Sequence, residues 1–440
     1  MTAHRLAVFF RRPGEVCLTR TDGHSWGPVT IEYGGSTDPL DAVGETFGRR
    51  DAESILRVGG PIEIDDRRWI PVLVDRSGRT ELDRVDDSHE WVSPVEIRRR
   101  DTIPGCWRLY DGVRPTPEAI RTDTTHGSAT LSIWGLEYLR DQAGYLATCS
   151  DLDDDCRPST TAGEWDACCR AATELLEARP SMMALSNRIH RALATAAEDD
   201  RIESNPAECV ERAATDGINR ATAADRAAGS IAAEIITAGA IAAEGADTPT
   251  VLTLSTSGTV LATIERAEPS VYVAESRPKR EGTDLTERLA ERGFDVTLHS
   301  DAAIASVLDT EPIDALLVGA DTVLSDGRIL NKVGTRGAAI AAHTEDVPVY
   351  VVAAADKISP WSTADTEFGS PEELYADPIP ERLTVTNPTF DLTPAVYVDR
   401  ILTDRGAFEP SEIEAIAEEH RTLRQYTSDE NGGCSDLPVT

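Results

Sequence analysis

Lys279, Lys332 and Lys357 are the only lysines in 440 residues; the other basic residues are all Arg. Lys332 sits in Gly319-Ala320-Asp321, nine further residues, then Asn331-Lys332-Val333-Gly334-Thr335. Lys357 follows the apolar run 347–355, and Lys279 follows Glu275-Ser276-Arg277-Pro278. An ammonium is a compact, strongly hydrated point charge that suits a phosphate or a moving proton. Asp321, flanked by small residues after Ala315-Leu316-Leu317-Val318, suits acid–base work. Ser255-Thr256-Ser257-Gly258-Thr259 offers hydroxyls and backbone N–H groups at the start of a helix, an arrangement that receives anions. Taken singly, these are an ordinary turn aspartate and an ordinary helix cap. Taken in this order, they point to a phosphorylated small molecule and a proton-transfer group.

These residues fall at the ends of predicted strands in the last of three regions. Residues 250–405 alternate strands (251–255, 271–275, 296–299, 315–318, 347–353) with helices (259–267, 283–293, 302–308, 335–343). That alternation predicts a doubly wound parallel sheet, whose ligands bind outside the strands' carboxyl ends. Residues 126–246 are Ala-rich, with apolar residues at helical spacing in Leu131-Ile133-Leu136-Leu139 and Met182-Leu185-Ile189-Leu193. Residues 1–115 are strand-like, with turn formers such as Pro13-Gly14 between apolar runs and one helical stretch, 39–56. A solvated acidic loop is predicted at 151–155. The expected division is 1–115, a helical part 120–246, a Rossmann-like part 247–426, and a disordered tail 427–440.

Gly319-Ala320-Asp321, Asn331-Lys332-x-Gly334-Thr335, Glu275-Ser276-Arg277-Pro278 and Asn387-Pro388-Thr389-Phe390-Asp391-x-Thr393-Pro394 together resemble the initiation factor 2B alpha/beta/delta-subunit family. That family includes ribose-1,5-bisphosphate isomerase and methylthioribose-1-phosphate isomerase, and the resemblance spans about 120–425. It implies a helical subdomain, a Rossmann-like subdomain and a homo-oligomer (dimer or hexamer). It also implies a phosphorylated sugar or nucleotide as ligand. In the isomerases, a Cys after the first strand and the Asp of Gly-Ala-Asp interconvert aldose and ketose phosphates. Asp321 matches that Asp. Asn331, Lys332 and Lys357 match sugar-phosphate contacts. Ser257, Gly258 and Thr259 match the phosphate loop, and Arg179 matches an Arg of the helical subdomain. His126-Gly127-Ser128 stands where the family has a loop with Arg before the Gly.

Two positions depart from that pattern. Ser255 replaces the catalytic Cys, and His126 replaces the loop Arg. A thiol near pKa 8.5 becomes a base with a modest shift, whereas a hydroxyl needs a neighbouring base, and none is evident beside Ser255 in sequence. The initiation-factor subunits also lack this Cys. The sequence therefore favours a regulatory sugar-phosphate or nucleotide-phosphate binder. Aldose–ketose isomerisation through Asp321 is the alternative.

Trp26-Gly27-Pro28, Gly34-Gly35, a helix and Glu90-Trp91-Val92-Ser93 resemble the Nudix fold. Aligning its motif on Gly35 puts Asp41, Arg49, Arg50, Glu53 and Ser54 at the motif's charged positions. Arg50 and Ser54 then replace carboxylates that would hold Mg²⁺ against a diphosphate. The expectation is a degenerate Nudix-like α/β/α module; Nudix hydrolysis is a third reading.

Acidic residues number 77 against 43 basic, for a net charge of −34. Such an excess, with Arg replacing Lys, fits a salt-adapted cytoplasm and disfavours nonspecific nucleic-acid binding. No apolar run of about 18 residues suggests a membrane span, and the N-terminus lacks the pattern of a signal peptide. The eight cysteines show no zinc spacing, so no metal or cofactor is expected, and all eight are expected to be reduced.

Overall fold

The computed structural model describes residues 4–21, 25–33, 38–48, 54–76, 89–149, 161–242, 248–365 and 367–424. The first sheet holds β1 (His4–Arg12), β2 (Glu15–Thr21), β3 (Ser25–Gly27), β4 (Val29–Tyr33), β5 (Ile55–Val58), β6 (Ile62–Ile64), β7 (Arg67–Asp75) and β8 (His89–Val92), with α1 (Pro39–Phe47) between β4 and β5. β1 runs parallel to β7 and antiparallel to β2 and β4. The unbroken apolar run of β1 is explained by burial of both faces, because alternate side chains of a strand point to opposite sides. Ala7 and Phe9 join a cluster with Leu109 and Tyr110; Leu6, Val8 and Phe10 pack with Ala42 and Val43.

α1 is shorter than the predicted helix 39–56. It stops at Gly48, which takes φ 106° and donates its N–H to Gly44. That positive φ favours glycine. Ile55 and Arg57 instead pair with β7 as strand. Of the Nudix-aligned positions, Gly35, Arg49, Arg50 and Glu53 lie outside the described residues, as do the segments 151–155 and 427–440.

Three short helices follow: α2 (Glu96–Arg99), α3 (Cys106–Asp111) and α4 (Pro117–Thr122). The helical section then contains α5 (Ser128–Thr148), α6 (Thr161–Ala178), α7 (Met183–Ala197) and α8 (Pro206–Ala242). Their apolar stripes bury Leu131, Leu136, Leu139, Leu175, Leu185 and Leu193 in one core. Cys17, Cys106, Cys149, Cys168 and Cys209 are buried thiols. Burial pushes the Cys106 and Cys168 thiols up to about 12. Cys169 is disulfide-bonded, which corrects the expectation of eight reduced thiols. Successive helix residues point about 100° apart, so the vicinal pair does not share one environment.

The second sheet has β9 (Thr250–Leu254), β10 (Ser270–Ala274), β11 (Val296–His299), β12 (Ala315–Val318), β15 (Val349–Val352), β17 (Arg400–Thr403) and β18 (Gly406–Phe408), in the order β11-β10-β9-β12-β15-β17-β18. All its neighbours are parallel except β17 and β18. Between the strands lie α9 (Gly258–Ala267), α10 (Glu281–Glu291), α11 (Ile304–Thr310) and α12 (Thr335–Thr344), and α13 (Glu414–Leu423) closes the described chain. The predicted doubly wound sheet is therefore present. A small antiparallel sheet of β13 (Thr322–Val323), β14 (Ile329–Lys332) and β16 (Phe390–Thr393) was not predicted. Among the described residues no helix is long and apolar enough to cross a membrane.

Candidate functional site

From β9 the chain winds outward through β10 to β11, then returns to place β12 on the other side of β9. This reversal opens a crevice at the strands' carboxyl ends. Ser255 follows β9 and Asp321 follows β12, so the topology brings both to its mouth. The approach there is tight: a Cβ on Gly319 would lie 2.5 Å from the Ser257 hydroxyl oxygen. Ser257 Oγ is 3.0 Å from Thr259 Oγ1, which donates to the Val352 carbonyl. Among the described residues no side chain caps the first turn of α9, so its N–H groups have no side-chain acceptor there.

Ser255 donates its hydroxyl to Glu281 Oε2 at 2.7 Å, and Lys332 Nζ donates to Glu281 Oε1 at 2.9 Å. The carboxylate of Glu281 thus joins the end of β9 to β14. The backbone around it is held in unusual conformations: Ser255, Ser276 and Arg280 have φ of 60°, 62° and 60°. Each left-handed non-glycine residue costs about 1–3 kcal/mol and persists only where surrounding bonds fix it. Those bonds are present. Ser276 Oγ accepts from the Ser255 N–H at 2.6 Å, and the Asp301 carboxylate accepts from the N–H groups of Ser276 and Arg277. Gly282 fixes the start of α10 against β10, where a Cβ would meet the Ala274 carbonyl oxygen at 1.9 Å.

Lys332 also borders a cleft lined by Ser276, Lys279, Glu373, Asn387 and Thr389, which gathers the Ser276-Arg277-Pro278 and Asn387-Pro388-Thr389 segments and three cationic residues, Arg277, Lys279 and Lys332. Lys279 lies 3.7 Å from Glu373. Asn331 is buried and donates to Thr335 Oγ1 at 2.9 Å. The N-terminus of α12 is already occupied by a carboxylate, since Asp391 accepts from the N–H groups of Gly334 and Arg336. Lys357 is buried and donates to the Ala320 carbonyl at 2.6 Å, so its ammonium holds the Gly319-Ala320-Asp321 turn from beneath.

The helical section closes the crevice. Ser128 Oγ, at the start of α5, lies 3.5 Å from Asp321 Oδ1. His126 points its ring to the Asp123 carboxylate, 2.8 Å away, and packs on Trp134. Arg179 does not reach the strand ends. It donates to the carbonyls of Ile120 and Asp123 and so braces the loop that carries His126, Gly127 and Ser128. Asn187 ties α7 to the second sheet through the carbonyls of Asp356 and Ile358.

Burial pushes the Asp321 carboxyl above the usual carboxylate range. Lys357 and Lys332 oppose that rise, and Glu367 and Glu281 add to it. An aspartate so placed holds a proton to higher pH and can donate it. Among the described residues, no group of three His, Cys, Asp or Glu side chains is placed to hold a metal ion. Sequence reasoning located Asp321, Ser255 and Lys332 but missed Glu281. Its sequence signal was its place, three residues after Pro278, at the opening of the helix that follows the second strand.

The arrangement defines a doubly wound α/β protein with a polar, cation-bearing crevice at its topological switch point and a helical cover. The sequence profile of the Initiation factor 2 subunit family matches residues 124–410, and the chain belongs to that family. It is 32% identical over 326 residues to ribose 1,5-bisphosphate isomerase of Haloferax volcanii, covering 71% of this chain and 93% of the relative. It is 36% identical over 182 residues to methylthioribose-1-phosphate isomerase of Heliobacterium modesticaldum, covering 36% of this chain and 50% of the relative. Among solved structures, the translation initiation factor eIF-2B of Pyrococcus horikoshii OT3 aligns with a TM-score of 0.53 at 25% identity, over 67% of this chain and 96% of that one.

Proposed function

We propose that the chain is an aldose–ketose isomerase of a phosphorylated pentose, with ribose-1,5-bisphosphate as the first substrate to test. The observation that carries this reading is Asp321, a carboxyl raised by burial beside Lys332 and Lys357 at the switch point. The two isomerase relatives support it. The regulatory reading drew its weight from the absent thiol, and it loses that weight once Ser255 is seen bonded to a carboxylate.

In a sugar 1-phosphate the aldose is locked as a ring. Asp321 donates its proton to the ring oxygen as the C1–O bond opens. A second group takes the C2 proton, and that electron pair forms a C1=C2 enol. The enol O2–H then returns a proton to Asp321, C2 becomes a ketone, and C1 receives the proton taken from C2. No electrons leave the sugar, so no redox partner is required. Lys332, the open first turn of α9 and Ser257 form the phosphate-binding side; Asn331 and Lys357 hold the floor. The loop at His126, Gly127 and Ser128 covers the sugar, with Arg179 bracing it. The exposed apolar side chains of Trp361, Phe368 and Val396 support a homo-oligomer.

The test is incubation of the purified chain with ribose-1,5-bisphosphate in molar salt, followed by NMR. Ketose signals are expected. A melting shift without product would instead support the regulatory reading, since a ligand at 100 times its Kd adds about 2.7 kcal/mol.

A further inference from the structure

Isomerisation needs a second proton-transfer group, and Ser255 is a poor one. A serine hydroxyl is far less acidic than a thiol. Here it is also committed as a donor, 2.7 Å from Glu281 Oε2. We infer that Glu281 is the base that takes the C2 proton, with Ser255 positioning its carboxylate; this rests on the isomerase reading above. The strand-end hydroxyl and the carboxylate together occupy the place where the resemblance puts a thiol.

Three observations carry the assignment. Glu281 accepts from Ser255 on one carboxylate oxygen and from Lys332 on the other, which fixes the carboxylate between β9 and β14. Its side chain keeps 28% of its surface exposed rather than sealed in the core, and its charge acts on Asp321. Its main chain is pinned: Thr256 Oγ1 donates to the Glu281 carbonyl, Gly282 packs on the Ala274 carbonyl, and Arg280 just before it is left-handed. A side chain that only neutralised Lys332 would not need such fixing. A bound phosphate competes with Glu281 for Lys332, so substrate entry frees Oε1 next to the sugar.

In the reaction, Glu281 accepts the C2 proton and becomes neutral as the C1=C2 bond forms. It then delivers that proton to C1 and returns to the carboxylate. Asp321 handles the oxygen-bound protons, and both groups end as they began.

The experiment compares wild type with E281Q and with the double variant S255C/E281Q on ribose-1,5-bisphosphate. E281Q is expected to lose ~10²–10⁴-fold in kcat, the usual contribution of a general base, with KM within about threefold. S255C/E281Q is expected to recover at least about tenfold over E281Q, because a thiol then stands at the strand end. E281A, assayed with added formate, provides a second arm: partial rescue by the free carboxylate is expected. A kcat for E281Q within tenfold of wild type would overturn the inference and leave the isomerase reading standing. A rise in KM alone would reduce Glu281 to a partner of Lys332, which also overturns it. No turnover by wild type would remove both.

Discussion

Arg11 in β1 donates Nη2 to both carboxylate oxygens of Glu137 in α5, at 2.6 and 2.7 Å. The pair is nearly sealed, with 4% and 3% of each residue exposed. Gly14 N–H also bonds Glu137, and Arg140 Nη1 donates to the Gly14 carbonyl. The first sheet is thus joined to the helical section by buried charge as well as by apolar contact. Arg11 Nη1 also donates to the half-exposed Asp75 at 3.0 Å, but removing Glu137 takes the acceptor from the buried Nη2. Glu137→Ala is expected to cost about 3–5 kcal/mol, read from denaturant unfolding in molar salt, whereas an apolar replacement of both partners, R11M/E137L, costs far less. Equal losses for the two variants would show that the pair itself, not a stranded charge, supplies the stability.

Asp321→Asn separates activity from stability. The folded carboxyl titrates above its unfolded value of about 3.9. Between those two values the folded state holds a proton that the unfolded state has released, so stability falls as pH rises through that window. An amide there has nothing to ionise. The variant is therefore expected to melt higher than wild type at neutral pH, with the gap closing below about pH 4, and to lose ~10²–10⁴-fold in turnover. A lower melting point at pH 7 would contradict the raised carboxyl.

His190, 7% exposed in α7, behaves in the opposite direction. Burial, with a contribution from Arg424, pushes its pKa down to about 3. The unfolded imidazole titrates near 6.5, so below that pH the unfolded state binds a proton the folded state refuses. Stability is lost as pH falls from about 6.5 toward 3, at up to about 1.4 kcal/mol per pH unit from this one group. In His190→Asn the stability-versus-pH slope between pH 6 and 4 should flatten by about one proton. An unchanged slope would show that His190 is charged in the fold.

The sequence makes the parallel sheet legible, and with it Ser255 and Asp321, because each comes within three residues of the end of a short apolar strand, β9 or β12. β11 and β12 have the bounds expected of them, 296–299 and 315–318. Three features were not legible, for different reasons. Glu281 meets Ser255 only because β9 and β10 are neighbours, a pairing that a separation of 26 positions conceals. Arg179 looks like a phosphate ligand by motif, yet main-chain carbonyls at 120 and 123 claim two of its nitrogens. Asn331 and Lys332 lie on β14 of a small antiparallel sheet, whose partner β16 is about sixty residues away, so no local periodicity announces it.

The last prediction concerns salt. With 77 acidic and 43 basic residues, the folded chain concentrates a net charge of −34. Self-repulsion opposes compaction, and screening relieves it as the Debye length shrinks from about 10 Å at 0.1 M to about 3 Å at 1 M. Exposed pairs such as Arg400–Glu409 weaken under the same screening, but each is worth at most about 1 kcal/mol. The buried pairs, Arg11–Glu137 and Arg140–Asp141, lie where salt screens least. Repulsion is therefore the larger salt-sensitive quantity, and the melting temperature should climb steadily between 0.1 and 2 M KCl. The comparison should be repeated in choline chloride, because a rise shared by both salts reflects screening and one confined to KCl reflects a specific cation. A flat or falling curve in both would show that the acidic residues are already balanced locally by arginine.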